Sequence, residues 1–251
     1  MQKALLESHW LELPGGKMHF LAGGEASDKA AVVVLVHGMV VSSRYMVPTA
    51  ERLAPLCQVL APDLPGYGQS FKPWPILSVP ALADMLATWL DRLGIPRAHW
   101  VANSFGCQIS ADLAIHHPER VDRMVLQGPT VDPAARTLPQ QLWRSLLNSP
   151  NEAKGLGKIT RQDYRAAGLR RAWATLKLVL NDRIEDKLPR IEAPVLVVRG
   201  ENDPIVPQSW AEAVTRQLPH GELRVIPDAG HALNYSAPVP FVAVIRPFLG
   251  I

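Results

Sequence analysis

A chain of 251 residues, 47% hydrophobic and 20% charged, is long enough for one sizeable core with an insertion, and its composition excludes disordered, collagen-like and solenoid classes. No run of about 18 apolar residues offers a membrane span. A net charge of +3, with no Lys/Arg cluster interleaved with aromatics, gives nucleic-acid binding no support. Two cysteines, Cys57 and Cys107, cannot make a disulfide framework and read as small buried hydrophobes in a reducing compartment. Met1 to Leu13 lacks the apolar core of a signal peptide, so the expected localisation is cytoplasmic.

In chain order, His9–Leu13 and Lys17–Leu21 around Pro14-Gly15-Gly16 predict a β-hairpin. Ala30–Val36 is a solid apolar β-branched run, as in a strand buried on both faces of a parallel sheet. It ends at His37-Gly38, where glycine permits a sharp turn. Ala50–Leu56 reads as helical and Gln58–Ala61 as a short strand, followed by a Gly/Pro-rich turn from Pro62 to Ser70. Ser78 is a candidate N-cap, with Pro80 in the first turn. Leu82, Met85, Leu86, Trp89, Leu90 and Leu93 then fall on one helical face that Gly94 and Pro96 terminate. His99–Ala102 predicts a strand running into Ser104 and a helix from Phe105 to His117, and Val121–Leu126 predicts another strand. This alternation argues for a mostly parallel sheet with helices on both faces.

From Val131 to Arg190 no strand-like run occurs. Ser149-Pro150-Asn151-Glu152 and Thr160-Arg161-Gln162-Asp163 resemble helix-starting capping boxes, and Leu169, Trp173, Leu176 and Leu180 repeat at helical spacing. Pro133 to Arg190 carries twelve Lys/Arg against five Asp/Glu. That excess reads as a solvated helix face; the functional alternative is attraction of an anionic substrate or an acidic carrier protein. Strands resume at Pro194–Arg199 and Glu222–Ile226, with helices from Pro207 to Leu218 and Pro238 to Leu249. The expected organisation is a core of residues 1–130 and 191–251, α/β with an eight-stranded sheet, interrupted by an all-helical insertion at 131–190.

Small residues flank Ser104 at both second neighbours, Ala102 and Gly106, as a sharp strand-to-helix turn requires. A serine hydroxyl needs a base to take its proton, an acid to orient that base and N–H donors for the oxyanion. Ser104, Asp203 and His231 each follow a strand, at the sheet edge where such groups gather. An ordinary N-cap serine is the alternative for Ser104. No His/Cys/Asp/Glu spacing suggests a metal, and no G-x-G-x-x-G follows a strand, so no cofactor is expected.

Taken together, these segments resemble the serine-dependent α/β-hydrolases over nearly the whole chain. The matching pieces are His37-Gly38, Asp63-Leu64-Pro65-Gly66-Tyr67-Gly68-Gln69-Ser70, the Ser104 turn, Pro118-Glu119-Arg120-Val121, Gly200-Glu201-Asn202-Asp203-Pro204 and Gly230-His231. The resemblance implies Ser104 as nucleophile, His231 as base and Asp203 as orienting acid, with Asp132 as the rival acid because some members of the family place it one strand earlier. It also implies an oxyanion hole from the N–H groups of Met39 and Phe105, and a helical cap at 131–190. Asp63 and His37 read as structural supports. Serine at the elbow argues against the family's dehalogenases and epoxide hydrolases. Ala232, where its meta-cleavage hydrolases usually place tryptophan, weakens a C–C hydrolase reading. The expected reaction is hydrolysis of small carboxylic esters of short to medium acyl chains. The alternatives are C–C hydrolysis of ring-fission products, a carrier-protein ester and a hydrolase-fold receptor. Trp143, Leu146, Leu147, Trp173, Leu176 and Leu180 are expected either to roof an acyl pocket or to pack the insertion on the core.

Overall fold

The computed structural model describes residues 6–25 and 31–251, so Ala30, the first residue of the expected third strand, lies outside it. Gly15 and Gly16 take φ values of +100° and +145°, which a side chain would resist. The chain reverses there, and β1 (Glu7–Leu13) pairs antiparallel with β2 (Gly16–Gly23), Leu13 opposite Gly16. The other strands are β3 (Val32–Val36), β4 (Gln58–Pro62), β5 (Ala98–Asn103), β6 (Val121–Gln127), β7 (Val195–Gly200) and β8 (Gly221–Ile226). They form one eight-stranded sheet in the order β1-β2-β4-β3-β5-β6-β7-β8. All pairings from β4 to β8 are parallel.

The period of two along the strands divides the core into two layers. Val34, Val36, Trp100 and Ala102 pack on the side of α2 (Val79–Arg92), α3 (Phe105–His116) and α7 (Gln208–Gln217). Val33, Leu35, Val101 and Val198 pack on the other side, against α1 (Val47–Leu53) and the C-terminal helix Pro238–Leu249. Strands covered on both faces are predominantly apolar, which is why β3 reads as an unbroken hydrophobic run and β5 carries Trp100, Val101 and Ala102 in succession. The order reverses at β3, whose partners β4 and β5 lie on opposite sides. In an open α/β sheet a crevice forms at the carboxyl ends beside such a reversal.

Three expectations are corrected. The first helix begins at Val47 rather than Ala50, because Pro48 suits the first turn, and it follows a 3₁₀ turn at Ser43–Met46. Ser149 does not start an α-helix: Ser149–Asn151 is one 3₁₀ turn. Thr160 lies inside a helix that starts at Leu156. The capping box of this region is instead Thr137 with Gln140, whose Oε1 accepts the Thr137 N–H at 3.2 Å. Between β6 and β7 the described chain holds only helices: α4 (Leu138–Asn148), α5 (Leu156–Ala167), α6 (Leu169–Asn181) and short 3₁₀ turns. Gly168, at φ +78°, separates α5 from α6. After β8 come a short α8 (Leu233–Ser236) and α9 (Pro238–Leu249). Among the described residues no helix is long and apolar enough to cross a membrane.

Candidate active site

β5 runs buried to Asn103, and the chain then turns at Ser104 with φ +53° and ψ −117°. Such a backbone costs a non-glycine residue about 1–3 kcal/mol and persists only where its surroundings impose it. The Ser104 N–H donates to Gln127 O of β6 at 2.9 Å. α3 departs immediately across the end of β3. A Cβ on Gly106 would lie 2.7 Å from Val36 O and 2.8 Å from His37 O, so only a bare backbone fits there. Gly38 approaches from the other side: a Cβ on it would stand 2.9 Å from Asn103 Oδ1 and 3.5 Å from Ser104 Cβ. Ser104 occupies the N-cap position of α3 but its side chain makes no capping bond. The ordinary N-cap reading therefore does not hold, and Ser104 faces a cavity instead.

Asp203 follows β7 and His231 follows β8. The structure brings them together, with His231 Nδ1 2.8 Å from Asp203 Oδ2. The other carboxylate oxygen, Oδ1, accepts the N–H groups of Ile205 and Val206 at 2.8 and 3.1 Å. Gln127 Nε2 donates to the His231 carbonyl at 2.5 Å. Gly128, at φ +59°, leaves room for the imidazole, since a Cβ there would lie 2.8 Å from His231 Cε1. A proton held on Nδ1 by Asp203 leaves Nε2 free to accept another. Asp132, the rival acid, is engaged elsewhere: its carboxylate accepts from Ala134 N–H and pairs with Arg144 at 2.8 Å. Met39 lines the same cavity as Ser104 and His231. Phe105 is the first residue of α3, whose opening N–H groups have no carbonyl one turn back inside the helix.

Burial pulls the His231 imidazole down, but the Asp203 charge and hydrogen bond, with the Glu152 charge, outweigh it and hold the pKa above 6.5. A base must be neutral to take a proton. kcat/KM is therefore expected to fall as pH drops through an apparent pKa above 6.5. A pH–rate profile whose acid limb lies below 6.5 would contradict this.

His37 and Asp63 support the loops around the site. Burial lowers the His37 pKa, and the neutral ring bridges Gly38 O, at 2.9 Å, and the Leu64 N–H, at 3.0 Å. Asp63 accepts from His19 Nδ1, Ser43 N–H and Gln69 N–H. Burial alone would raise its carboxyl, but these bonds pull it below the usual range. Asp63→Ala would strand two buried donors, His19 Nδ1 and the Ser43 N–H, and release the Gln69 N–H. It is expected to cost about 3–5 kcal/mol of unfolding free energy, measurable by urea denaturation. Neither Ser42 nor Ser43 lines the cavity: the Ser42 hydroxyl donates to Asp163 of α5 at 2.8 Å and the Ser43 N–H donates to Asp63. Burial raises both thiols, Cys57 to about 12, consistent with inert packing residues.

The cavity above Ser104 is about 660 Å³ in volume. α4, α5 and α6 form much of its wall through Leu138, Leu142, Leu156, Trp173, Leu176 and Leu180. Trp143, Leu146 and Leu147, expected to roof it or to pack inward, do neither: they are 62%, 67% and 47% exposed. Among the described residues Glu152 is the one carboxylate on the wall, and none of those lining it is Lys or Arg. Among the described residues no group of three or more His, Cys, Asp or Glu side chains is placed to hold a metal ion.

Sequence reasoning missed Asn148, Asn151 and Glu152, where α4 ends. Asn148 Oδ1 accepts the His231 N–H at 3.0 Å. Glu152 Oε1 accepts the Ala232 N–H at 2.7 Å and the Asn148 amide at 2.8 Å. Asn151 donates to Asn202 O at 2.9 Å, beside Asp203. One turn of the insertion thus grips both the histidine and the aspartate loops. A Cβ on Gly230 would meet Asn151 Cβ and Glu152 Oε1, each at 2.9 Å, so that glycine reflects the close approach.

The sequence profile of the alpha/beta hydrolase family matches residues 33–244. The RutD protein of Caulobacter sp. (strain K31), whose name assigns it provisionally to carbamate hydrolysis, is 28% identical, covering 93% of this chain and 96% of its own. The pimeloyl-[acyl-carrier protein] methyl ester esterase of Nitrosomonas europaea is 27% identical, over 87% of this chain and 96% of its own. A solved structure, the N-acyl homoserine lactone degrading enzyme Est816, superposes with a TM-score of 0.81 at 25% identity, covering 96% of this chain and 100% of its own.

Proposed function

Because the chain belongs to the alpha/beta hydrolase family and is a hydrolase, we propose that it cleaves neutral carboxylic esters of short to medium acyl chains through Ser104. The observation that carries this reading is the 2.8 Å Asp203–His231 pair beside a strained Ser104 turn, opening on a largely apolar cavity. In this reading His231 Nε2 takes the Ser104 proton as Oγ attacks the ester carbonyl. The N–H groups of Met39 and Phe105 receive the developing oxyanion. His231 then passes its proton to the leaving alcohol and activates the water that releases the acyl group. Residues 131–190 act as a cap over the core of 1–130 and 191–251, and the acyl chain lies among Leu176, Leu180 and Trp173.

The cavity wall favours neutral substrates. Among the described residues its one carboxylate, Glu152, would repel an anionic group, and no wall cation would hold one. That weighs against carbamate anions and ring-fission carboxylates. The relatives' names span a carbamate and a carrier-bound methyl ester, the second of which is a carboxylic ester. The test is release of p-nitrophenol from acyl esters, acetate to laurate, by wild type and Ser104→Ala. Activity on the shorter chains, reduced at least about 10³-fold in the variant, is expected. Equal inactivity of both proteins would remove the ester reading and favour C–C hydrolysis, a carrier-bound ester or a receptor.

A further inference from the structure

Eleven large hydrophobic side chains are exposed among the described residues, and six of them lie on α4 and α6: Leu142, Trp143, Leu146, Leu147, Leu169 and Trp173. On α4 the pairs 142/146 and 143/147 stand four apart, so they form an unbroken apolar stripe. The stripe is continuous with the cavity mouth, because Leu142, Leu169 and Trp173 belong both to the exposed set and to the cavity wall. A contiguous exposed patch of this kind is a cost in water that a monomer rarely carries without an interaction to cover it.

The charge of the insertion names the occupant. Residues 154–181 hold seven Lys/Arg against Asp163 alone. Asp163 is buried and paired with Arg44. Lys154, Lys158, Arg161 and Arg165 are exposed, and none has a carboxylate partner among the described residues. Arg170 lies 3.9 Å over the half-exposed Trp74 ring, and Lys177 5.2 Å from the Trp173 ring. Exposed indoles and leucines on an insertion that also carries exposed long cations suit a boundary that is apolar within and anionic at its surface. A second copy of the chain would set like charge against like on this face.

We propose that the α4–α6 face docks on anionic lipid surfaces, presenting the cavity mouth to the apolar layer. An acyl chain would then pass from the layer into the cavity without crossing water. The inference does not rest on the ester reading, since docking is measured on catalytically silenced protein.

The experiment is co-sedimentation of the wild-type and Ser104→Ala chains with vesicles of phosphatidylcholine alone or with phosphatidylglycerol. Both proteins should partition onto the anionic vesicles, weakly at high salt and weakly onto phosphatidylcholine alone. Trp143→Ser/Leu146→Ser/Leu147→Ser should lower partitioning at least about tenfold while its turnover of a water-soluble substrate stays within about twofold. Lys158→Gln/Arg161→Gln/Arg165→Gln should abolish the preference for anionic vesicles. The proposal is overturned if wild type ignores anionic vesicles, or if the apolar triple variant binds them equally. It is also overturned if sedimentation equilibrium shows a wild-type dimer that the triple variant loses, or if an acidic protein but no vesicle is held by this face.

Discussion

Asp203→Asn is expected to lower kcat for ester hydrolysis about 10⁴-fold while the fold and melting temperature are retained. The size of the loss follows from how the carboxylate is held. Oδ1 accepts two backbone N–H groups, from Ile205 and Val206, so in the variant the amide oxygen must take that place. The amide NH₂ then points at His231 Nδ1, where Oδ2 now sits 2.8 Å away. Two donors cannot face each other, so the ring is forced into the tautomer with its proton on Nε2. That tautomer cannot accept the Ser104 proton. Asp132→Asn is the control, because Asp132 serves Arg144 and the Ala134 N–H rather than the histidine. It is expected to change kcat by no more than about threefold, in the range of a residue outside the reacting group. If the two variants exchange these effects, Asp132 is the orienting acid.

The second large effect belongs to the turn at the end of α4. Glu152→Ala is expected to lower kcat about 10²-fold with a smaller change in KM. The variant leaves the Ala232 N–H without its acceptor and frees the Asn148 amide that positions the acceptor for the His231 N–H. A stranded buried donor costs about 1–3 kcal/mol, enough to shift a loop rather than unfold a domain. A displacement of about 1 Å at the imidazole suffices for a loss of this size. Glu152→Gln separates position from charge. It keeps an oxygen for Ala232 but removes the negative charge that helps hold the His231 pKa up, so most of kcat should return while the acid limb moves to lower pH. A structural residue would change the melting temperature and leave that limb in place. Steady-state kinetics of both variants across pH decides between them.

The sheet was legible because its central strands are buried on two faces and are therefore largely apolar, as Val33–Val36 and Trp100–Ala102 are. The serine turn was legible for a related reason. Gly106 and Ala102 are small because β3, β5 and α3 meet there, so sterics leave a local trace in the sequence. In the structure Asp203 pairs with His231 and Asp132 with Arg144. Reading the insertion was harder. Ser149 to Glu152 has the letters of a capping box, yet Glu152 bonds to residues 80 or more positions away, at Ala232 and Ser236. A local pattern cannot reveal a partner that the fold brings from the other end of the chain. Likewise, helical spacing shows that Leu142, Trp143, Leu146 and Leu147 share a face, but not whether that face meets the cavity or solvent.

The measurement closest to the central claim is labelling with a fluorophosphonate, which reacts with an activated serine hydroxyl, followed by peptide mapping. The account predicts one probe per chain on Ser104, loss of hydrolysis in step with labelling, and labelling slowed about 10³-fold or more in His231→Ala. An unlabelled Ser104 in active protein, or a probe on another residue tracking the loss of activity, would contradict it.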